Sequence, residues 1–250
     1  MDLGKAKQFI EEISRLYEQD ALVERTSALV AEIGFDYFAC VSHVDLEHLP
    51  ADAVGISNYP EAWVHHYVRN HLEQTDPVQR YIRLTLLPFF WTDPAFLATL
   101  SADQTRLMEE ARAHGIADGY TVPLRPPGHL LASFSVCPGS RTPKPESHLM
   151  VHLIAPYVFE QARRIGAPGL SPPLKDETRL TARQRQCLEL AALGKSDWVI
   201  GEILNISERT VHHHLESAKK RLGVATRAQA IVEALRDAQI SMADIQRDRS

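Results

Sequence analysis

The chain has 250 residues, 44 % of them hydrophobic, which is enough to bury more than one core. Its net charge is −5, and from Lys175 onward 13 basic residues stand against 11 acidic ones, leaving −7 on the first 174 residues. This balance excludes polyanion binding by the acidic part as a whole and confines any nucleic-acid contact to a local basic patch in the second part. Three cysteines, Cys40, Cys137 and Cys187, form no CxxC pair, so a disulfide framework or zinc knuckle is not expected. The first residues carry charge throughout and lack the apolar stretch of a signal peptide. Apolar runs such as LLPFFW are too short to span a bilayer. A soluble, cytoplasmic protein with no membrane contact is expected.

Phe9, Ile10, Ile13, Leu16 and Tyr17 recur at helical spacing, and Leu22, Leu29, Val30 and Ile33 stripe a second helix that Gly34 ends. FDYFACVSHV and AVGISNY read as strands. A helix is predicted from near Pro60 through Trp63, Tyr67 and Leu72, and Asp76-Pro77 starts a short one, proline suiting a first helical turn. LPFFW reads as extended. SADQTRLMEEARAHG is a helix capped by Ser101 and ended by Gly115. GYTVPLR and LLASFSVCP are strands joined by PPGH, and PESHLMVHLIAPYVFEQARRIG is a long helix. The expected fold is α+β. Residues 1–165 form an α/β/α sandwich with a central antiparallel sheet. Residues 166–176 are a Gly/Pro-rich linker, 177–240 a four-helix unit, and 241–250 a tail.

The four short helices are predicted at Ala182–Leu193, Asp197–Leu204, Glu208–Leu222 and Arg227–Ala238. Two short helices joined by a tight turn, the second basic at its end, outline a helix-turn-helix. In the second, Val211, Leu215, Ala218 and Leu222 form a core stripe, with His214 half-buried beside it. The opposite face carries His212, Glu216 and Lys219, flanked by Arg209, His213 and Lys220. Such a face suits a major groove, with Lys219, Lys220 and Arg221 on phosphates, Glu216 accepting from cytosine and His212 donating to guanine. It equally suits an ordinary solvated helix, and composition does not decide. The triplet His212-His213-His214 is not a metal site, because successive helical residues point about 100° apart. His43, His48, His65, His66 and His71 are expected on the surface. No metal, cofactor or enzyme motif is found.

LTARQRQCLELAALGKSDWVIGEILNISERTVHHHLESAKKRLGVATRAQA closely resembles the LuxR-type DNA-binding domain. The matching residues are Leu180-Thr181, Arg183, Arg185, Leu188, Gly194-Lys195-Ser196, Ile200, Ile203, Leu204, Ser207, Thr210-Val211, His214, Lys220, Leu222-Gly223-Val224 and Ala230. Gln184 replaces the usual Glu, and His213 replaces an aromatic or apolar residue. The resemblance implies base readout by His212 and Glu216. It implies backbone contacts by Thr181, Lys195, Arg209, Thr210, Lys219 and Lys220, with His213 beside them.

NYPEAWVHHYVRNHLEQTDPVQR looks like an acyl-homoserine-lactone-binding domain, with Trp63, Tyr67, Asp76, Pro77, Trp91 and Gly119 at family spacing and Tyr59 four residues before Trp63. A phospho-receiver's doubly wound pattern is missing. The ligand chemistry fits these side chains. The Trp63 indole N–H would meet the ring carbonyl, Asp76 the amide N–H, and Tyr59 and Ser133 the acyl carbonyl. Trp91 and Tyr67 would supply flat walls, and Gly119 close backbone approach. Phe89, Phe90, Phe96, Cys40 and Leu131 are expected along the chain. Val64, where 3-oxo binders of the family carry a polar side chain, points to an unsubstituted, branched or aryl acyl group. The resemblance therefore implies a quorum-sensing regulator that binds N-acyl-homoserine lactone and, as a homodimer, a palindromic double-stranded promoter site, with RNA polymerase as a further partner. A regulator of the same build sensing a non-lactone small molecule stays open. A lactone-degrading enzyme is disfavoured by the missing nucleophile and metal motifs.

Overall fold

The computed structural model describes residues 3–44, 53–126, 131–166 and 179–241, which fall into two compact units, the described residues up to 166 and those from 179. The first unit runs α1 (Leu3–Ile13), α2 (Gln19–Glu32), β1 (Tyr37–Ser42), β2 (Gly55–Ser57), α3 (Glu61–Arg69), a 3-10 turn (Leu72–Gln74) and α4 (Pro77–Tyr81). It continues through β3 (Phe89–Phe90), α5 (Pro94–Leu97), α6 (Ala102–Ala113), β4 (Tyr120–Leu124), β5 (Ala132–Cys137) and α7 (Ser147–Gly166). The second unit holds α8 (Ala182–Ala192), α9 (Asp197–Leu204), α10 (Glu208–Leu222) and α11 (Arg227–Arg236). The linker at 167–176, the PPGH residues 127–129, His48 and the tail from 242 lie outside the described residues.

The five strands form one antiparallel sheet in the order β2-β1-β5-β4-β3. Strand alternation divides its faces. Phe38 and Cys40 of β1, with Phe134 and Val136 of β5, pack on one side with Phe9, Leu22, Leu29, Ile154 and Val158 of α1, α2 and α7. The rings of Phe38 and Phe134 stack across the strand pair, centroids 5.7 Å apart. Ala39 and Val41, with their partners Ser135 and Ser133, face the other way, into a cavity. That side is closed by a second cluster containing Trp63, Val78, Ile82, Trp91, Phe96, Leu107 and Ile116. The expected sandwich is thus present, with the cavity between sheet and helices.

Chain-distant segments are fastened by Asp36, which precedes β1. Its Oδ2 accepts from the backbone N–H of Gly139, Ser140 and Arg141 at 2.9, 2.7 and 3.3 Å, and Arg141 Nε lies 2.8 Å from Oδ1. Burial by itself would raise this carboxyl, but the three N–H groups and the guanidinium hold it below its ordinary range. Asp76 and Ser101 cap α4 and α6 as their sequences predict.

Helix α3 stops short of its predicted span, ending at Arg69 instead of continuing through Leu72. Asn70 turns its side-chain amide onto the His66 carbonyl at 2.8 Å, and His71 takes a left-handed φ of 50°, which breaks the helix before the 3-10 turn.

In the second unit every described helix begins with a side-chain cap: Thr181, Ser196, Ser207 and Thr226 each accept the backbone N–H of the third residue of the helix that follows. Gln184 is buried and closes a capping box with Thr181, its Oε1 accepting from the Thr181 N–H at 2.9 Å, so the neutral amide serves as the box's second half. Val211, Leu215 and Ala218 are buried against Leu188, Ile200 and Ala230, and His214 is half-buried beside them. The turn from α9 to α10 is set by Gly201. A Cβ there would stand 2.7 Å from the Ile206 carbonyl oxygen, while the Ile206 N–H donates to the Gly201 carbonyl at 3.0 Å. Only glycine allows the turn to close this tightly.

Candidate ligand cavity and nucleic-acid interface

The cavity has a volume of about 340 Å³. Tyr59, Trp63, Tyr67, Asp76, Trp91 and Ser133, all singled out in the sequence, line it together. Trp63 and Tyr67 stand one helical turn apart on α3, their rings in an edge contact with centroids 6.0 Å apart. The Tyr67 hydroxyl donates to Asp76 Oδ2 at 2.7 Å and receives the Gln79 amide at 3.2 Å. Asp76 Oδ1 accepts the N–H of Val78 and Gln79 as the cap of α4. Burial raises the Asp76 carboxyl above its ordinary range, against the Tyr67 hydroxyl and those two N–H groups. Burial first, then the Asp76 charge, pushes the Tyr67 hydroxyl up, and burial with Cys137 does the same for Tyr59. Both phenols therefore stay protonated and able to donate. The Tyr59 hydroxyl lies 3.6 Å from Cys137 Sγ, and Ser133 Oγ lies 3.0 Å from His43 Nε2.

Trp91 lines the cavity and is bolted to the sheet: its indole N–H donates to Thr121 Oγ1 at 2.9 Å, and Thr121 meets Ser135 Oγ at 2.8 Å. Gly119 has a different role from the one expected. It is not part of the cavity wall. A Cβ at this position would sit 2.6 Å from Cδ2 and Cε2 of Trp91, so the missing side chain makes room for the indole.

The tail-lining residues expected from the sequence are elsewhere. Phe89 and Phe96 are packed in the cluster behind the cavity, Cys40 faces the opposite side of the sheet, and neither Phe90 nor Leu131 reaches the wall. Val41, Ile56, Val64, Val68, Val78, Leu107 and Met108 supply the apolar lining instead. The histidines do not all lie on the surface either. His65 and His71 do, but His66 is half-buried, 3.0 Å from Glu110 Oε2 and stacked near His114. His43 is 8 % exposed and lines the cavity. Burial, assisted by the Arg83 charge, brings its pKa down to about 4, so the ring is neutral at physiological pH. His43, Glu73, Gln79 and Ser135 are among the polar cavity residues that sequence reasoning passed over.

On the second unit, α10 presents Arg209, His212, His213, Glu216 and Lys220 as exposed residues, with Thr210 and Lys219 half-buried. Thr181 is exposed at the start of α8, and Lys195 is half-buried before α9. The polar groups are tied to one another. His212 Nδ1 lies 3.4 Å from Asp197 Oδ2, and Arg227 donates to Asp197 Oδ1 at 2.7 Å and to the Lys195 carbonyl at 2.6 Å. Lys219 Nζ is 2.7 Å from Glu216 Oε1, and the Thr210 and Ser207 hydroxyls are 2.7 Å apart. Arg221 donates one N–H to the Arg179 carbonyl at 2.7 Å, a bond within the unit that leaves its other guanidinium donors available. Among the described residues no group of three His, Cys, Asp or Glu side chains is placed to hold a metal ion.

Residues 18–162 match the family described as autoinducer binding domain, and residues 178–234 match that described as bacterial regulatory proteins, luxR family. Transcriptional activator protein BjaR1 of Bradyrhizobium diazoefficiens is 30 % identical over 237 residues, covering 94 % of this chain and 96 % of that protein. The HTH-type quorum sensing-dependent transcriptional regulator RpaR of Rhodopseudomonas palustris is 30 % identical over 239 residues, covering 92 % and 93 %. The crystal structure of Escherichia coli SdiA shares the fold, with a TM-score of 0.67 at 23 % identity over 94 % of this chain and 98 % of that one. Among the described residues no helix is long and apolar enough to cross a membrane. The relatives are regulators of transcription, not enzymes, and the chain belongs with them: it is a member of the LuxR family of bacterial regulatory proteins, with an autoinducer-binding domain followed by a DNA-binding helix-turn-helix domain.

Proposed function

We propose that the chain is a cytoplasmic quorum-sensing regulator that takes an N-acyl-homoserine lactone into the cavity of its first unit and, as a homodimer, binds a palindromic promoter site and engages RNA polymerase. The observation that carries this reading is the convergence of Tyr59, Trp63, Asp76 and Ser133 on one cavity, three potential donors and one carboxylate acceptor. A homoserine lactone offers the complement: two carbonyl acceptors and one amide donor. A dimer would place two recognition helices on successive major grooves, roughly 34 Å apart. His212 and Glu216 would read bases, and Thr181, Lys195, Arg209, Thr210, His213, Lys219 and Lys220 would meet or flank the backbone. His212 leaves Asp197 to do so, and Lys219 leaves Glu216.

Titration with a series of acyl-homoserine lactones tests the ligand. Trp63→Phe keeps the ring and removes the indole N–H, and is expected to weaken the tightest lactone by about tenfold. Undiminished affinity in this variant would overturn the lactone assignment. For the DNA arm, His212→Ala is expected to weaken the cognate site far more than random duplex, and equal losses would move His212 to the phosphate contacts. A second reading, a sensor of a non-lactone acyl compound, is favoured by one relative of the fold, SdiA, whose structure is described in complex with octanoyl-rac-glycerol. Under that reading the acylglycerol binds and Trp63→Phe is silent toward every lactone.

A further inference from the structure

Glu73 sits on the 3-10 turn between α3 and α4, is 8 % exposed, and lines the cavity. Neither of its carboxylate oxygens has a hydrogen-bond partner among the described residues. The His71 imidazole stands beside it, its Nδ1 3.6 Å from Oε1, beyond hydrogen-bond range. Asp76, three residues on, is by contrast supplied by Tyr67 and two backbone N–H groups. A buried carboxylate with no donor is strongly unfavourable, and a fold retains one only where something else satisfies it.

The lactone head does not satisfy Glu73. Its single N–H belongs to Asp76 in the proposed reading, and its carbonyls are acceptors, which a carboxylate repels. A hydrocarbon chain offers no donor at all. The imidazole of His43, also in this wall, has one ring nitrogen without a hydrogen-bond partner among the described residues, Nδ1, while its Nε2 is engaged with Ser133. The cavity therefore holds polar capacity beyond what an unsubstituted acyl-homoserine lactone uses. We propose that the acyl group of the ligand carries a hydroxyl, and that this O–H donates to the Glu73 carboxylate, making Glu73 the residue that selects a hydroxylated acyl chain over a plain one. The inference rests on the lactone reading above and specifies the acyl part that it leaves open.

The test uses matched pairs that differ by one hydroxyl, on the full chain: octanoyl-homoserine lactone against its 3-hydroxy and 8-hydroxy forms, and 3-phenylpropanoyl-homoserine lactone against its 4-hydroxyphenyl form. At least one hydroxylated member is expected to bind tenfold or more tightly than its parent, since a hydrogen bond to a charged group is at stake. Glu73→Leu should reverse that preference, and Glu73→Gln, which keeps shape and an acceptor, should retain part of it. The ligand-free Glu73→Leu protein should melt higher than wild type, because a buried carboxyl without hydrogen-bond partners has gone. Parents that bind as tightly as every hydroxylated form, or a preference that survives Glu73→Leu, would overturn the role of Glu73 while leaving the lactone head intact. Absence of binding by all five lactones would remove both.

Discussion

Acidification from pH 6.5 to 4 is expected to strip ~3 kcal/mol of stability from the first unit through His43 alone. The folded state holds this imidazole neutral down to about pH 4, whereas the unfolded chain protonates it at the ordinary value of 6.5. Between those limits the unfolded state binds more protons, so stability falls as pH falls and levels off below both. The cause is burial first, then the Arg83 charge. The carboxylates that the fold holds low lose their contribution as pH falls from their ordinary values, 4.5 for Glu12 and Glu160 and 3.8 for Asp36, so they come into play from the acid end of this window downward. Asp76, held high by burial, opposes them: its folded form takes up a proton first and gains stability on acidification. Urea midpoints at pH 7 and 4.5, followed by the fluorescence of the buried indoles Trp63 and Trp91, measure the slope. Trp198, 60 % exposed in the second unit, contributes little change. His43→Gln should flatten the profile, and two parallel profiles would refute the assignment.

Gly119→Ala is the second substitution with a large expected effect. The new methyl would lie 2.6 Å from two ring atoms of Trp91 and 2.8 Å from a third. An indole is rigid, and this one is held through Nε1, the atom next to Cε2, by Thr121 and through it by Ser135. The ring has to move, the Trp91–Thr121 hydrogen bond breaks, and a cavity wall shifts with it. Overpacking of this kind costs roughly 1–3 kcal/mol, and the orphaned N–H adds to that. Thermal melts should drop by several degrees, with ligand no longer restoring them. Gly166→Ala serves as the control, since a Cβ there meets nothing within 4 Å. A Gly119→Ala protein as stable as that control would show the contact to be soft.

What the sequence disclosed follows from how local each signal is. Helix α10 begins and ends where Ser207 and Gly223 predict, because a cap and a left-handed stop are written in adjacent residues. Strand β1 is legible from its alternation. The cavity aromatics were found because the family pattern fixes their spacing. His43 was missed because it lies just beyond β1, and a lone histidine near other histidines reads as surface. Its parity was available: Ala39, Val41 and His43 are two residues apart, and Val41 pairs with Ser133. The same parity argues against Cys40, one residue out of phase. Glu73 was passed over because a short 3-10 turn inside a predicted helix end carries no periodic signal. Gly201 had a signal, a glycine within a helix, but its reason, the Ile206 carbonyl, appears only when the turn is closed.

The fastening of Asp36 to residues 139–141, together with the pairing of β1 with β5, bears on how the chain is made. Strand β1, which lies between β2 and β5, is synthesised some 95 residues before β5, its longer-paired neighbour, is complete, from Ser42 to Cys137. At roughly 5–20 residues per second, β1 waits ~5–20 s on the ribosome without that neighbour. The helical unit that follows has no such delay, its contacts being mostly local, and closes quickly once released. The first unit is thus the slow and exposed step of biogenesis. During that interval its hydrophobic face and the polar wall of the cavity are open together, so a small molecule able to fill the cavity has its greatest leverage on the yield of folded protein while the chain is still being completed.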